Sequence, residues 1–260
     1  ALADGYVSRI LVSPYGYGHA LYIDYENGYR SVYGHISEFA GEIETYTKNL
    51  QYEKESFRID VNLSPLDLPV KKGQLVAYPG NTGQSGGPHL HFEIRDASTD
   101  ISLNTLGKYI KLPDNTPPEA ISIVIYPQSA RSSVAGTSDK QMTELTKTAS
   151  GKYRTDAPIY ASGRIGIGVE YCDRMTNSNN RYGAKQVDLL VNGRKTYTSI
   201  FDKVDFDKQS TKNSCFDFNY YVKDSKYVQK LFVEPNNDLD IYSNLVNNGY
   251  LNIGTNDSAK

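Results

Sequence analysis

The sequence predicts a mainly β chain, and three observations carry that expectation. Its 260 residues include 22 Tyr, 21 Gly and no Trp, a composition that suits short strands joined by turns better than long helices. Apolar residues fall in short, partly alternating runs bounded by Gly, Asn and Pro. Helical spacing of apolar residues is convincing in one segment only, between residues 39 and 57. With 38% hydrophobic and 22% charged residues, the chain is neither a disordered tail, a collagen-like fibre nor a coiled coil. No run approaches the roughly 18 apolar residues of a membrane span, so no transmembrane segment is expected. Twenty-eight Lys plus Arg against thirty Asp plus Glu leave a net charge of -2, which gives no electrostatic case for binding nucleic acid or anionic lipid.

Taken in order, Tyr6 to Val12 and Ala20 to Tyr25 read as strands separated by the turn Pro14-Tyr15-Gly16-Tyr17-Gly18. Glu26-Asn27-Gly28 then leads into Tyr29 to Gly34, completing an antiparallel meander. Phe39, Ile43, Tyr46, Leu50 and Phe57 recur at steps of four, three, four and seven, the stripe of an amphipathic helix lying on the sheet. Phe57, Ile59, Val61 and Leu63 alternate with polar residues as a strand with one buried face. Pro113 to Pro118 cannot continue a helix or a central strand, which places a boundary between a domain of residues 1–114 and one of 115–260. Beyond it, Ile121 to Tyr126, Ile165 to Tyr171, Val187 to Val191, Thr196 to Phe201, Phe216 to Val222, Leu231 to Val233 and Tyr250 to Ile253 read as strands. The Asn192-Gly193 pair predicts a tight hairpin. The expected architecture is an antiparallel sheet with one inserted helix, followed by an immunoglobulin-like β-sandwich.

The chain has four His, and His89 and His91 are two residues apart. On a strand both would project to one face, with Leu90 turned to the opposite, core side. Two imidazoles on one face make half of a metal site or an acid/base pair. Four of the eight residues before Pro88 are Gly (Gly80, Gly83, Gly86, Gly87), which permits positive φ and close approach of another backbone. An extended peptide lying against this loop would meet Asn81, Gly83 and Ser85. Other signals are weak. The run Gly163 to Gly168 lacks the order of a phosphate loop, the Asp202-Asp205-Asp207 and Asp238-Asp240 clusters lack the glycine and terminal glutamate of an EF-hand, and no serine-hydrolase elbow is present. Cys172 and Cys215 are open to two readings, a bridge or two separate buried thiols.

DGYVSRI at 4–10, GYGHALYID at 16–24, Tyr33-Gly34-His35, VKKGQLVAYPGNTGQSGGPHLHFEIRD at 70–96 and Leu103-Asn104 together resemble the lysostaphin-type, or LytM, zinc endopeptidases of bacterial cell walls. The resemblance covers most of residues 1 to about 112, in consistent order. It implies a LytM-type metallopeptidase domain with Zn²⁺ as cofactor, His91 as a zinc ligand, and His35 and His89 flanking the metal-bound water as acid/base and stabilising groups. It implies cleavage of peptide bonds in peptidoglycan stems or cross-links, and a place in the bacterial envelope, periplasmic or extracellular. The family's other two ligands, a His and an Asp in an H-x-x-x-D motif, are expected upstream of Ala1, as is any signal segment. Inside the chain His19 and Asp24 are five apart and so on opposite faces of one strand, which argues against their replacing that pair. Two other classes of function compete: a non-catalytic LytM-like protein that binds the wall or activates a hydrolase, and a carbohydrate-binding or assembly role for the Tyr-rich second domain. Oligomeric state is not legible.

Overall fold

The computed structural model describes residues 1–208 and 211–254. The chain forms two compact units, one of Ala1–Ile110 with Lys203–Asp205, the other of Lys111–Asp202 with the residues from Phe206 onward. Both are built mainly of antiparallel strands, as the composition predicts. No described helix is long and apolar enough to cross a membrane.

The first unit contains β1 (Gly5–Val12), β2 (His19–Tyr25), β3 (Tyr29–Gly34), β4 (Ile36–Phe39), α1 (Glu42–Glu53), β5 (Ile59–Asn62), β6 (Pro69–Val70), β7 (Ala77–Pro79), β8 (His91–Asp96) and β9 (Ser102–Leu103). The main sheet runs β9-β8-β3-β2-β1-β5, with β6 also paired to β1 and Lys203–Val204 extending the β9 edge. β4 and β7 pair separately as a two-stranded ribbon. Alternation gives the sheet two different faces. Val7, Ile10, Leu21 and Ile23 bury one face with Phe39, Ile43 and Ile59. On the other, Ala20, Tyr22 and Val32 form a smaller cluster with Leu11 and Tyr17.

The predicted helix is present but shorter than its apolar stripe. It buries Ile43 and Thr47, with Tyr46 and Leu50 packed partly against the core. Phe39 belongs to β4 and Phe57 is 90% exposed. The step of seven from Leu50 to Phe57 would keep one face only if the helix continued, and Glu55, at φ 46, turns the chain away.

The second unit contains β10 (Glu119–Pro127), β11 (Ser133–Val134), β12 (Gln141–Glu144), β13 (Thr146–Lys147), β14 (Tyr153–Arg154), β15 (Ala161–Cys172), β16 (Gln186–Val191) and β17 (Arg194–Ile200). After β18, the Lys203–Val204 strand of the first unit, come α2 (Phe218–Asp224), β19 (Val228–Lys230), β20 (Tyr242–Ser243) and β21 (Leu251–Ile253). β15 is the spine of one sheet, pairing with β10, β11, β19 and β21, while β16, β17 and β20 form a second. The glycines of the Gly163–Gly168 run serve packing: a Cβ on Gly166 would lie 2.5 Å from the Phe232 ring. Asn192 and Gly193 both have positive φ (50 and 77), the mark of the tight hairpin turn expected between β16 and β17. The expected strand at 216–222 is instead α2. Asp217 accepts hydrogen bonds from the Asn219 and Tyr220 amides as its N-cap, and Ser225 closes it in a left-handed conformation; a good cap overrides alternating aromatics. The strand expected at Leu231 to Val233 lies three residues earlier, as β19. Cys172 and Cys215 are both buried free thiols, set against Arg181 and Tyr242 respectively.

Candidate active site

β3 delivers His35. Gly34 lies opposite His91 across the β3–β8 pair, and Ile36 opposite Pro79 in the β4–β7 ribbon, so His35 occupies the step between sheet and ribbon. It turns the chain there at φ 57, an uncommon conformation for a residue with a Cβ. Its amide donates to the Tyr17 carbonyl at 2.8 Å and its Nδ1 meets the Thr82 carbonyl at 2.8 Å. A carbonyl only accepts, so Nδ1 carries a proton, and in the neutral ring Nε2 keeps its lone pair. The glycine before it is closely enclosed: a Cβ on Gly34 would lie 3.2 Å from the His91 Cβ and 3.3 Å from the Tyr17 ring, so these neighbours would have to give by a few tenths of an ångström.

The Gly-rich loop is locked to the Tyr15–Gly18 turn. Thr82 Oγ1 donates to the Ile36 carbonyl and accepts the His19 amide, both at 2.9 Å, and the Gln84 amide donates to the Gly16 carbonyl at 2.9 Å. Gly83 has φ 71, and a Cβ there would lie 2.3 Å from the Gly18 nitrogen. The expected close approach of another backbone is therefore met at Gly83, and its partner is the chain itself. Gly86 and Gly87 have open space around them. Asn81 is exposed, while Ser85 Oγ donates to the Gly87 carbonyl at 2.8 Å and lies 3.2 Å from His89 Nδ1. Thr82 was not among the residues singled out in sequence, because its carbonyl, not its side chain, holds His35.

His89 is exposed and makes a single bridge to Gly80 ahead of β8. Its Nδ1 lies 2.8 Å from the Gly87 carbonyl, which makes Nδ1 the donor and, in the neutral ring, Nε2 the acceptor, as for His35. Because β8 begins only at His91, Leu90 is not carried into the core as expected. It is 46% exposed and lines a cleft of about 280 Å³ with Tyr33 and Tyr78.

The three histidines converge. The His35 ring centroid is 4.7 Å from that of His89 and 5.8 Å from that of His91. His91 Nε2 is 2.6 Å from Glu93 Oε1, and no described residue bonds its Nδ1. Glu93 is buried at 7% exposure. Its Oε1 also accepts from the Tyr17 hydroxyl at 2.7 Å, and its Oε2 from Arg95 Nε at 2.9 Å. Burial alone would raise the Glu93 carboxyl, but hydrogen bonds from His91, Arg95 and Tyr17 outweigh it and hold it at about 2. Burial and the same carboxylate push the Tyr17 phenol up. Glu93 and Arg95 follow His91 at spacings of two and four on one strand face, a signal present in the sequence and not read there.

Among the described residues no group of three or more His, Cys, Asp or Glu is placed to hold a metal. A catalytic zinc takes three protein ligands and a water. The donor chemistry fits one of those positions, His91 Nδ1, and the described residues do not complete the set. His19 and Asp24 do not replace the missing pair: His19 stacks on Phe39, where burial lowers its pKa, and Asp24 is bound by Arg30 and Ser8 at 2.8 and 2.7 Å.

Residues 60–103, which include His89 and His91, match the model of peptidase family M23. Over 80 residues the chain is 31% identical to the DD-carboxypeptidase/endopeptidase Mpg of Neisseria meningitidis serogroup B, covering 31% of this chain and 13% of that protein. Over 93 residues it is 31% identical to an uncharacterized metalloprotease of Haemophilus influenzae, covering 36% and 15%. The chain thus spans about one seventh of the length of these relatives. A zinc-containing peptidase from Vibrio cholerae aligns at 25% identity over 43% of this chain and 26% of that one, with a TM-score of 0.28. The resemblance read from the histidine and glycine motifs is borne out: the segment 60–103, with both of the paired histidines, matches peptidase family M23.

Proposed function

We propose that the chain is a zinc-dependent endopeptidase acting on peptide bonds in peptidoglycan stems or cross-links, in the bacterial envelope. The observation that supports this most directly is the convergence of His35, His89 and His91, each with one ring nitrogen tied to an acceptor and the other without a hydrogen-bond partner among the described residues. His91 would hold zinc through Nδ1, with the remaining His and Asp supplied from upstream of Ala1. Bound zinc supplies an activated water at neutral pH. His35 Nε2 is available to accept a proton and return it to the leaving amine. His89, on the surface, is the histidine that a bound peptide reaches first, and Asn81, exposed and next in sequence to the Gly80 bridged to His89, is a second contact. In this reading residues 1–114 are the peptidase domain, and residues 115–260 are an immunoglobulin-like accessory sandwich that positions or binds substrate.

The test is cleavage of purified peptidoglycan and muropeptides by the full-length protein, with metal content measured in parallel. Zinc and cleavage should be lost together in His91→Ala; a variant that keeps both overturns the assignment. A second reading, a LytM-like protein that binds the wall or activates a hydrolase without cutting, draws on the incomplete ligand set among the described residues. It predicts retention on peptidoglycan by the full-length protein with no new amine termini.

A further inference from the structure

Behind His91 lies a line of alternating charge that crosses the sheet. His91 meets Glu93, Glu93 meets Arg95, Arg95 meets Asp100 at 2.6 Å, Asp100 meets Arg30 at 2.9 Å, and Arg30 meets Asp24. Glu93 and Arg95 are 7% and 5% exposed; the Tyr17 hydroxyl bonds both, and the Tyr22 ring lies 5.9 Å from the Arg95 guanidinium. Three donors thus converge on the two Glu93 oxygens, Tyr17 and His91 on Oε1 and Arg95 on Oε2.

From this arrangement we infer that Glu93 is a positioning residue, which fixes His91 as the Nε2–H tautomer and so reserves Nδ1 for metal or water. Its relevance to catalysis rests on the peptidase reading above; the tautomer itself does not. The carboxylate can do this because both of its oxygens accept. An amide in its place keeps one acceptor oxygen and turns the other into a donor. Arg95 cannot give up a proton, whereas a neutral imidazole can move its proton between nitrogens. In Glu93→Gln the amide oxygen therefore goes to Arg95 and the NH₂ faces His91. Nε2 must then accept, and the proton moves to Nδ1, the nitrogen the metal would need. Removing the competing donor as well, in Glu93→Gln/Arg95→Met, frees the amide oxygen to return to His91 and restores the original tautomer. A residue that merely stabilised the fold would show no such reversal.

The experiment is long-range ¹H–¹⁵N correlation of the imidazole nitrogens in the ¹⁵N-labelled chain, without metal, at a pH where His91 is neutral. The parent should show Nε2–H in excess by about tenfold or more, Glu93→Gln the opposite tautomer, and the double variant a return to the first. A parent with its proton on Nδ1, or a Glu93→Gln chain that keeps Nε2–H, overturns the proposal. The parent measurement decides the matter even where a variant fails to fold, which the same spectra report. In full-length protein, Zn²⁺ affinity should fall by about 10- to 100-fold in Glu93→Gln and recover in the double variant. Absence of zinc binding from the parent would count against the peptidase reading and leave the tautomer result standing.

Discussion

Arg30 and Arg95 face each other directly across β3 and β8, and Asp100 binds both, one guanidinium on each carboxylate oxygen. Like charges opposite one another destabilise a sheet, so this pairing stands because the turn after β8 returns an acid to it, with Asp100 at φ 57. Asp100→Ala should lower stability by about 1 to 3 kcal/mol, the usual effect of removing a partner from charged hydrogen bonds. Urea unfolding of Asp100→Ala and of Asp100→Asn checks this, with the smaller loss expected for Asn. No change in either would mean that solvent substitutes fully for the carboxylate.

The glycines of the loop should separate sharply. Gly83→Ala places a methyl 2.3 Å from the Gly18 nitrogen at φ 71, and should cost about 2 kcal/mol or more through clash and backbone strain. Gly86→Ala meets nothing within 4 Å and should stay within about 0.5 kcal/mol of the parent. Thermal melts of the two variants side by side read the difference.

Gly34→Ala tests packing behind the histidines. Its methyl would press on both His91 and Tyr17, which would have to give by a few tenths of an ångström, so peptide turnover should drop by several-fold, less than the roughly 100-fold of a misplacement near 1 Å, while the fold persists. A circular dichroism melt with a muropeptide assay on the same sample separates the two effects. Full activity would show that the His91 ring is not fixed by its neighbours.

His89 and Ser85 should contribute unequally. His89→Ala should reduce turnover by about 10² to 10⁴, the range of a general acid or base. Ser85→Ala should cost only a few-fold, because the Gly87 carbonyl at 2.8 Å already orients the ring. Steady-state rates on one substrate decide whether the serine acts through the histidine.

Acid should weaken the second unit through Asp217. Burial alone would raise this carboxyl, but its ion pair with Lys140 at 2.6 Å and its capping bonds to α2 hold it below the ordinary value. A depressed folded pKa contributes stability above the unfolded value, near about 3.9, and that contribution disappears as pH falls through the folded value. Asn can still cap a helix, so Asp217→Asn should lose stability at neutral pH and show a flatter acid limb as pH falls below the unfolded value. Urea midpoints across that range test the sign.

Much of the first unit was legible in the chain because its signals are local. The meander follows from alternation and turn residues, the inserted helix from Ile43, Tyr46 and Leu50, and the three histidines from their glycine and tyrosine company. What escaped was set by tertiary partners. Glu93 and Arg95 look like the solvent face of a strand, yet both are buried, with the Tyr17 hydroxyl from the turn before β2 bonded to each of them. Leu90 looks like core until the late start of β8 leaves it at a cleft. Phe57 keeps the helical count after the helix has ended, and α2 carries aromatics at strand spacing beneath a cap stronger than that pattern. The part played by Thr82 lies in a backbone carbonyl, which no side-chain pattern announces.

The joining of Gly18 to Gly83 bears on how a peptide would arrive. Two segments 65 residues apart in the chain touch backbone to backbone there, so the glycine loop is one wall of a solid corner and not a flap. A substrate strand would meet a surface already shaped, with no loop to order on contact. The entropy of setting that wall is lost once, when the chain folds, and not at each encounter.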